Sequence, residues 1–212
     1  MPKKRHIKKL CENIAMLAWV GVAIMGLGSR VRFLCQDETR IGLKTISGKK
    51  ITGKGIKPIG QVQWQFKATY IYGVVEPQTG ENLFYEFTHL NTDCFQAFLE
   101  LVSAKFAGEL LIIQLDNGAF HKAKRLQVPS NIILLFQPPY TPELNPIERL
   151  LPRAAKARVW QHLKRGLRWK LPRNLEELRE MMKNRLEEMT VEVIASIVGW
   201  DYILDALSVA GI

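Results

Sequence analysis

The hydrophobic pattern changes period along the chain, and the changes mark out its elements. Residues 31 to 36, VRFLCQ, form a short apolar strand that closes at Asp37. The following IGLKTISGKKITGKGIKPIG is rich in Gly and Lys and reads as a loop or a loose hairpin. WQFKATYIYGVVE and ENLFYEFTH are both β-prone, with Gly73 inside the first and Gly80 between them, so they predict a hairpin. Residues 92 to 105 bring Phe95, Phe98, Leu99 and Val102 to one face at helical spacing, with Thr92 as the cap. LLIIQL, ending at Asp116, and NIILLF, residues 131 to 136, are continuous apolar runs, as strands covered on both faces require. HKAKRL between them reads as a short basic helix.

The remainder is helical in period. Asn145-Pro146 predicts a helix start, because Asn accepts from a free N–H and Pro suits the first turn. Asn174 predicts another, with Leu175, Leu178, Met182, Leu186 and Met189 as its apolar stripe. Thr190 predicts a third, which stops near Gly199. Residues 1–30 stand apart: MPKKRHIKK precedes an apolar run from Ile14 to Gly28. That run is shorter than the roughly 18 to 20 residues that span a bilayer. Ser29-Arg30-Val31-Arg32 is also a poor cleavage site. The expectation is a packed helix or a degenerate leader on a cytoplasmic protein that engages no membrane.

Composition sharpens this picture only in places. A hydrophobic fraction of 47% over 212 residues suits a domain with a substantial core. Cys11, Cys35 and Cys94 are too far apart for a C-x-x-C site, and the four histidines show no ligand-like pairing. Thirty Lys and Arg against 20 Asp and Glu give a net charge of +10, which suits a polyanionic partner and equally a merely soluble basic protein. Lys44, Lys49, Lys50, Lys54 and Lys57 crowd the Gly-rich stretch, where they fit either a phosphate backbone or a solvated loop.

Three acids fall at telling places. Asp37 closes the first strand, Asp116 closes the most buried one, and Glu148 sits in the first turn of the helix after the last strand. Strand ends in an α/β sheet gather side chains that are distant in sequence. Clustered carboxylates repel unless cations neutralise them, and hard oxygen ligands suit Mg²⁺ or Mn²⁺. Each acid also has a plainer use. Asp116-Asn117-Gly118 is a good turn sequence, and Glu148 lies three residues after Asn145, the spacing of a capping box.

The order of strands, hairpin, helix, two buried strands and helices is that of a ribonuclease-H-like domain. Two segments, CQDETRIGLKT around Asp37 and IIQLDNGAFHK…LLFQPPYTPELNPIERL around Asp116 and Glu148, resemble the bacterial insertion-sequence branch of the mariner superfamily of DDE transposases. The resemblance covers about residues 31 to 207. It implies an α/β fold: a ribonuclease-H-like mixed five-stranded sheet flanked by helices, with a helical C-terminal region from about residue 174. The catalytic domain would run from 31 to 212. It further implies cut-and-paste transposition with DNA, both transposon ends and target, as partner, and a dimer on that DNA.

In the implied roles Asp37, Asp116 and Glu148 hold two Mg²⁺ or Mn²⁺ ions, and Asn145 and Pro146 set the helix that aims Glu148. His121, Lys122, Lys49, Lys50 and Lys54 are candidate phosphate contacts. The sequence departs from the family pattern in three ways, the mildest being that only 31 residues separate Asp116 from Glu148, slightly short for the group. No helix-turn-helix region matches, which implies a separate chain for end recognition or a truncated copy. LPRAAKARV, residues 151–159, also intervenes before Trp160, where the pattern places a Trp directly after NPIERL. An insertion there breaks or loops out the Glu148 helix, and it motivates the alternative of a decayed, inactive remnant that binds DNA non-specifically.

Overall fold

A computed structural model of the chain describes residues 4–25, 30–49, 51–139, 141, 144–147 and 159–212. Five strands form one mixed sheet: β1 (Val31–Gly42), β2 (Ala68–Val75), β3 (Asn82–Phe87), β4 (Leu110–Leu115) and β5 (Ile132–Phe136), in the order β3-β2-β1-β4-β5. The β1–β2 and β2–β3 pairs are antiparallel, whereas β1–β4 and β4–β5 are parallel. Helix α1 (Lys4–Met25) precedes the sheet and α2 (Thr92–Lys105) crosses from β3 to β4. Helices α3 (Val159–Gly166), α4 (Leu175–Glu187), α5 (Val191–Val198) and α6 (Asp201–Ala210) follow it.

The two faces of the sheet bury different residues, as the two-residue period of a strand demands. Phe33 and Cys35 of β1 join Leu10, Ile14, Leu163, Ile194 and Ile203 from the helices on one face. Leu34 joins Tyr72, Phe95, Phe98 and Leu99 on the other, under α2. All six residues of β4 are buried, in agreement with its unbroken apolar run. The basic and apolar N-terminal segment is a packed helix: Leu10 and Ile14, one turn apart, enter the first core and α1 lies against α6. Among the described residues no single helix is long and apolar enough to cross a membrane.

Several boundaries differ from those expected. β1 does not close at Asp37 but continues to Gly42, because it exchanges partners midway. β4 pairs with Val31–Cys35, and β2 with Cys35–Gly42. The loose hairpin beyond it is held by Leu43 N–H to the Lys67 carbonyl (3.0 Å) and Thr45 N–H to that of Gln63 (3.1 Å). Regular strand resumes only at Ala68. Asn91, not Thr92, caps α2; its Oδ1 accepts from Cys94 N–H at 2.9 Å. Thr92 lies inside the first turn and donates to the Phe120 carbonyl. The basic HKAKRL segment forms no α-helix; a single 3-10 turn, Ala119–Lys122, stands there. Asn174 and Thr190 cap α4 and α5 as expected, accepting from Glu177 N–H and Val193 N–H.

Candidate active site

Asp37 and Asp116 stand at the same level on neighbouring strands. The parallel register of β1 and β4 ends at Cys35 opposite Gln114, and each Asp follows two residues later. Strands in a sheet lie about 4.8 Å apart, so residues 79 positions apart in sequence become neighbours. Asp37 sits where β1 parts from β4, and Asp116 is the first residue beyond β4.

Different partners hold the two carboxylates. Trp160, the second residue of α3, donates its indole N–H to Asp37 Oδ2 at 2.7 Å. Room for that ring comes from Gly73, which pairs with Asp37 across β1 and β2. A Cβ on Gly73 would stand 2.7 Å from the Trp160 and Phe84 rings. On the other acid, Asp116 Oδ1 accepts from Gly118 N–H and lies 2.8 Å from His121 Nδ1. The second ring nitrogen of His121 lies 3.0 Å from Glu38 Oε1. Gln36 also donates to that Glu38 oxygen, at 2.7 Å.

His121 is thus clamped between two carboxylates, with Phe95 and Phe120 against its ring. Both neighbours can only accept, so both ring nitrogens donate and the imidazolium form is favoured. Burial opposes the charge, but the bonds to Asp116 and Glu38 outweigh it and push the pKa up to about 9. The same bond, aided by Gly118 N–H and the Lys122 charge, holds Asp116 below its ordinary value against the effect of burial. One cation therefore faces two carboxylates, Glu38 and Asp116, while Asp37 is held separately by Trp160; Asp116 keeps 56% of its side chain exposed. Exposed carboxylate oxygens of this kind are hard donors that suit a divalent cation.

The segment leading to Glu148 is tied to both strands beside their acids. Asn145, 1% exposed, donates to the carbonyl of Gln36, which precedes Asp37. Gln114, two residues before Asp116, donates to the carbonyl of Leu144 at 2.8 Å. Asn145 Oδ1 also accepts from Ile147 N–H at 3.3 Å, an Asx-turn with Pro146 at its centre. Asn145 thus acts as a clamp to β1 as well as a local turn former. Glu148 itself, like Lys50 and residues 151–158 of the expected insertion, lies outside the described residues. Among the described residues no group of three or more His, Cys, Asp or Glu side chains could hold a metal ion.

His121 is not a surface phosphate contact: it is 2% exposed and both its nitrogens face carboxylates. Lys122 is exposed, donates to Asn117 and lies 4.8 Å from the centre of the Phe136 ring. Lys49 and Lys54 are exposed on the hairpin loop, away from the carboxylates in sequence and in strand register. Glu38, next to Asp37 on β1, turns its side chain to the opposite face, toward His121. The roles of His121, Trp160, Gln114 and Gly73 escaped sequence reasoning. An Asp followed five residues later by a His within an otherwise exposed basic run was the available signal for the first.

Residues 32–179, more than half the chain and spanning both aspartates, match the sequence profile of the DDE superfamily endonucleases. The chain belongs to that family. This DDE endonuclease chain is 33% identical over 96 residues, 45% of its own length, to the uncharacterized protein y4pE/y4sA of Sinorhizobium fredii (strain NBRC 101917 / NGR234). Its fold matches a pre-cleavage Mos1 transpososome (TM-score 0.62, 12% identity, covering 100% of the chain). It also matches a Mos1 mariner paired end complex with Mn (TM-score 0.57, 12% identity, 99% of the chain). At that identity the likeness is one of fold, and it confirms the mixed five-stranded, ribonuclease-H-like architecture. The chain spans 64% of the length of each of these relatives.

Proposed function

We propose that the chain is the catalytic part of a DNA transposase that cuts and joins strands at the ends of an insertion sequence. One observation carries the reading: two aspartates stand at one level just past the end of the parallel β1–β4 pairing, and the segment that runs into Glu148 is bonded to the residues beside both. Asp37, Asp116 and Glu148 are the metal ligands in this reading. When bound, a pair of Mg²⁺ or Mn²⁺ ions would activate the attacking hydroxyl and stabilise charge on the leaving oxygen at phosphorus.

The protein's own groups prepare that site. Trp160 fixes the rotamer of Asp37 through one oxygen. His121, itself held by Glu38, fixes Asp116 and keeps it ionised. Asn145 and Gln114 anchor the approach to Glu148, so its entry point is set by β1 and β4 and not by a free loop. The partners that follow are transposon-end and target DNA and a second copy on that DNA.

The test is a nicking assay on duplex oligonucleotides that carry the element's ends, with Mg²⁺ and Mn²⁺ titrated. Metal-dependent cleavage that disappears in Asp116→Asn and Glu148→Gln, both still folded, is the expected result. Equal cleavage in the variants overturns the assignment of these acids. No cleavage with either metal leaves a decayed remnant as the description of this copy.

A further inference from the structure

The charge of +10 is not spread over the chain. Residues 39–75 carry seven Lys and Arg and no acid, and residues 149–175 carry nine and no acid. The other 148 residues hold 14 basic against 20 acidic side chains, a net of −6. The entire basic excess therefore sits in two segments that are more than 70 residues apart in sequence.

The fold joins them. Ile46 and Arg168 form an isolated parallel bridge, and Trp169 N–H donates to the Ile46 carbonyl at 3.0 Å. Gly48 lies so close to Arg168 that a Cβ there would stand 2.7 Å from Arg168 Cδ. Trp169 takes a left-handed backbone, φ 60°, to make this docking, a conformation that costs a bulky residue free energy and persists only when its surroundings enforce it. Lys44, Lys49, Arg165, Arg168 and Lys170 are all exposed around the junction, and among the described residues none of them pairs with a carboxylate. Nearby His162 feels the same field: burial and then the charges of Arg185 and Arg165 depress its pKa.

Both segments start from the carboxylates. β1 carries the chain from Asp37 to Lys44, seven residues at about 3.3 Å each, or roughly 23 Å. α3 carries it from Trp160, bonded to Asp37, to Arg165. We infer that the described parts of the two segments, residues 39–49 and 159–175, joined at the Ile46–Arg168 bridge, form one binding track for the phosphate backbone of duplex DNA, laid out from the Asp37–Asp116 site. At about 3.4 Å of helix axis per base pair, a track of that length spans roughly seven base pairs of duplex. The inference deepens the transposase reading by naming where its substrate lies, and it relies on that reading only for the choice of DNA.

The experiment measures binding of the full chain to a duplex of arbitrary sequence by fluorescence anisotropy, without metal, over a range of salt. Each lost phosphate contact flattens the slope of log K against log salt by about 0.9. The triple variant Arg165→Gln, Arg168→Gln, Lys170→Gln should flatten it by about 2.7, and adding Lys44→Gln and Lys49→Gln should flatten it further. The control removes three exposed charges elsewhere, Lys9→Gln, Lys105→Gln, Lys183→Gln, and should leave the slope almost unchanged. An equal change in the control, an unchanged slope in the triple variant, or tighter binding of single-stranded RNA than of duplex overturns the track. Because no metal is present, a wild-type chain that binds as described but never nicks DNA refutes the catalytic reading and leaves the track standing. Nicking with an unaltered slope does the reverse.

Discussion

β1 carries one charged cluster at its start and another at its middle, and the two are built on opposite plans. At its start, Arg32 is 6% exposed and reaches Glu76, Glu81 and Glu109, with Glu76 itself 2% exposed. Five residues on, Asp37 is held by Trp160, and next to it Glu38 shares the buried cation His121 with Asp116. The Arg32 cluster is roofed by Phe106, whose ring lies 4.7 Å from the guanidinium. The second cluster stays open through Asp116. Acids outnumber cations in both, so acid count alone does not mark a site. What separates them is that a guanidinium satisfies several carboxylates at once with its fixed donors, whereas the imidazolium has two N–H groups and both are used.

That contrast can be broken from either end. The largest effect is expected from Asp116→Asn, which should abolish metal-dependent nicking while the protein stays folded, at a stability cost of about 1.5–3 kcal/mol for the lost charge-assisted bond to His121; a retained rate would make this cluster as structural as the first. Next comes Arg32→Met, which strands Glu76 in the interior and should cost about 3–5 kcal/mol in denaturant unfolding. A loss under about 1 kcal/mol would show that Arg32 is not the keystone of its cluster.

His121→Asn removes the clamp on Asp116 and should weaken Mn²⁺ binding, followed by electron paramagnetic resonance, roughly 10- to 100-fold. A variant that binds Mn²⁺ as the parent does would reduce His121 to a packing residue. The smallest effect belongs to Trp160→Phe, which keeps the ring packed under Gly73 but loses the bond to Asp37. A loss of about 1.5 kcal/mol is expected in the same unfolding assay, and Gly73→Ala should reproduce it by pushing the ring aside.

The elements themselves were legible because their information is local. The unbroken apolar run of β4, the stripe of α4 and the caps Asn174 and Thr190 each act within a few residues. Where a boundary depended on a partner, local reading failed. β1 outruns Asp37 because β2 accompanies it, and HKAKRL is not a helix because His121 is drawn inward by Glu38 and Asp116. The aspartates were found from their positions at strand ends and from the DNG and NPIER segments, but their partners were not, since Trp160 lies 123 residues beyond Asp37.

The sequence by itself determined which residues are apolar enough to be strands or helix faces, where the acids fall in those elements, and that two long stretches lack any negative charge. These follow from periodicity and composition, which need no knowledge of distant neighbours. Only the tertiary structure decided that Cys35 meets Gln114, that His121 turns from the surface into a carboxylate clamp, and that Ile46 meets Arg168. Pairings of that kind arise from register and packing between remote segments, and no local pattern encodes which of many compatible partners a strand edge or a buried ring will find.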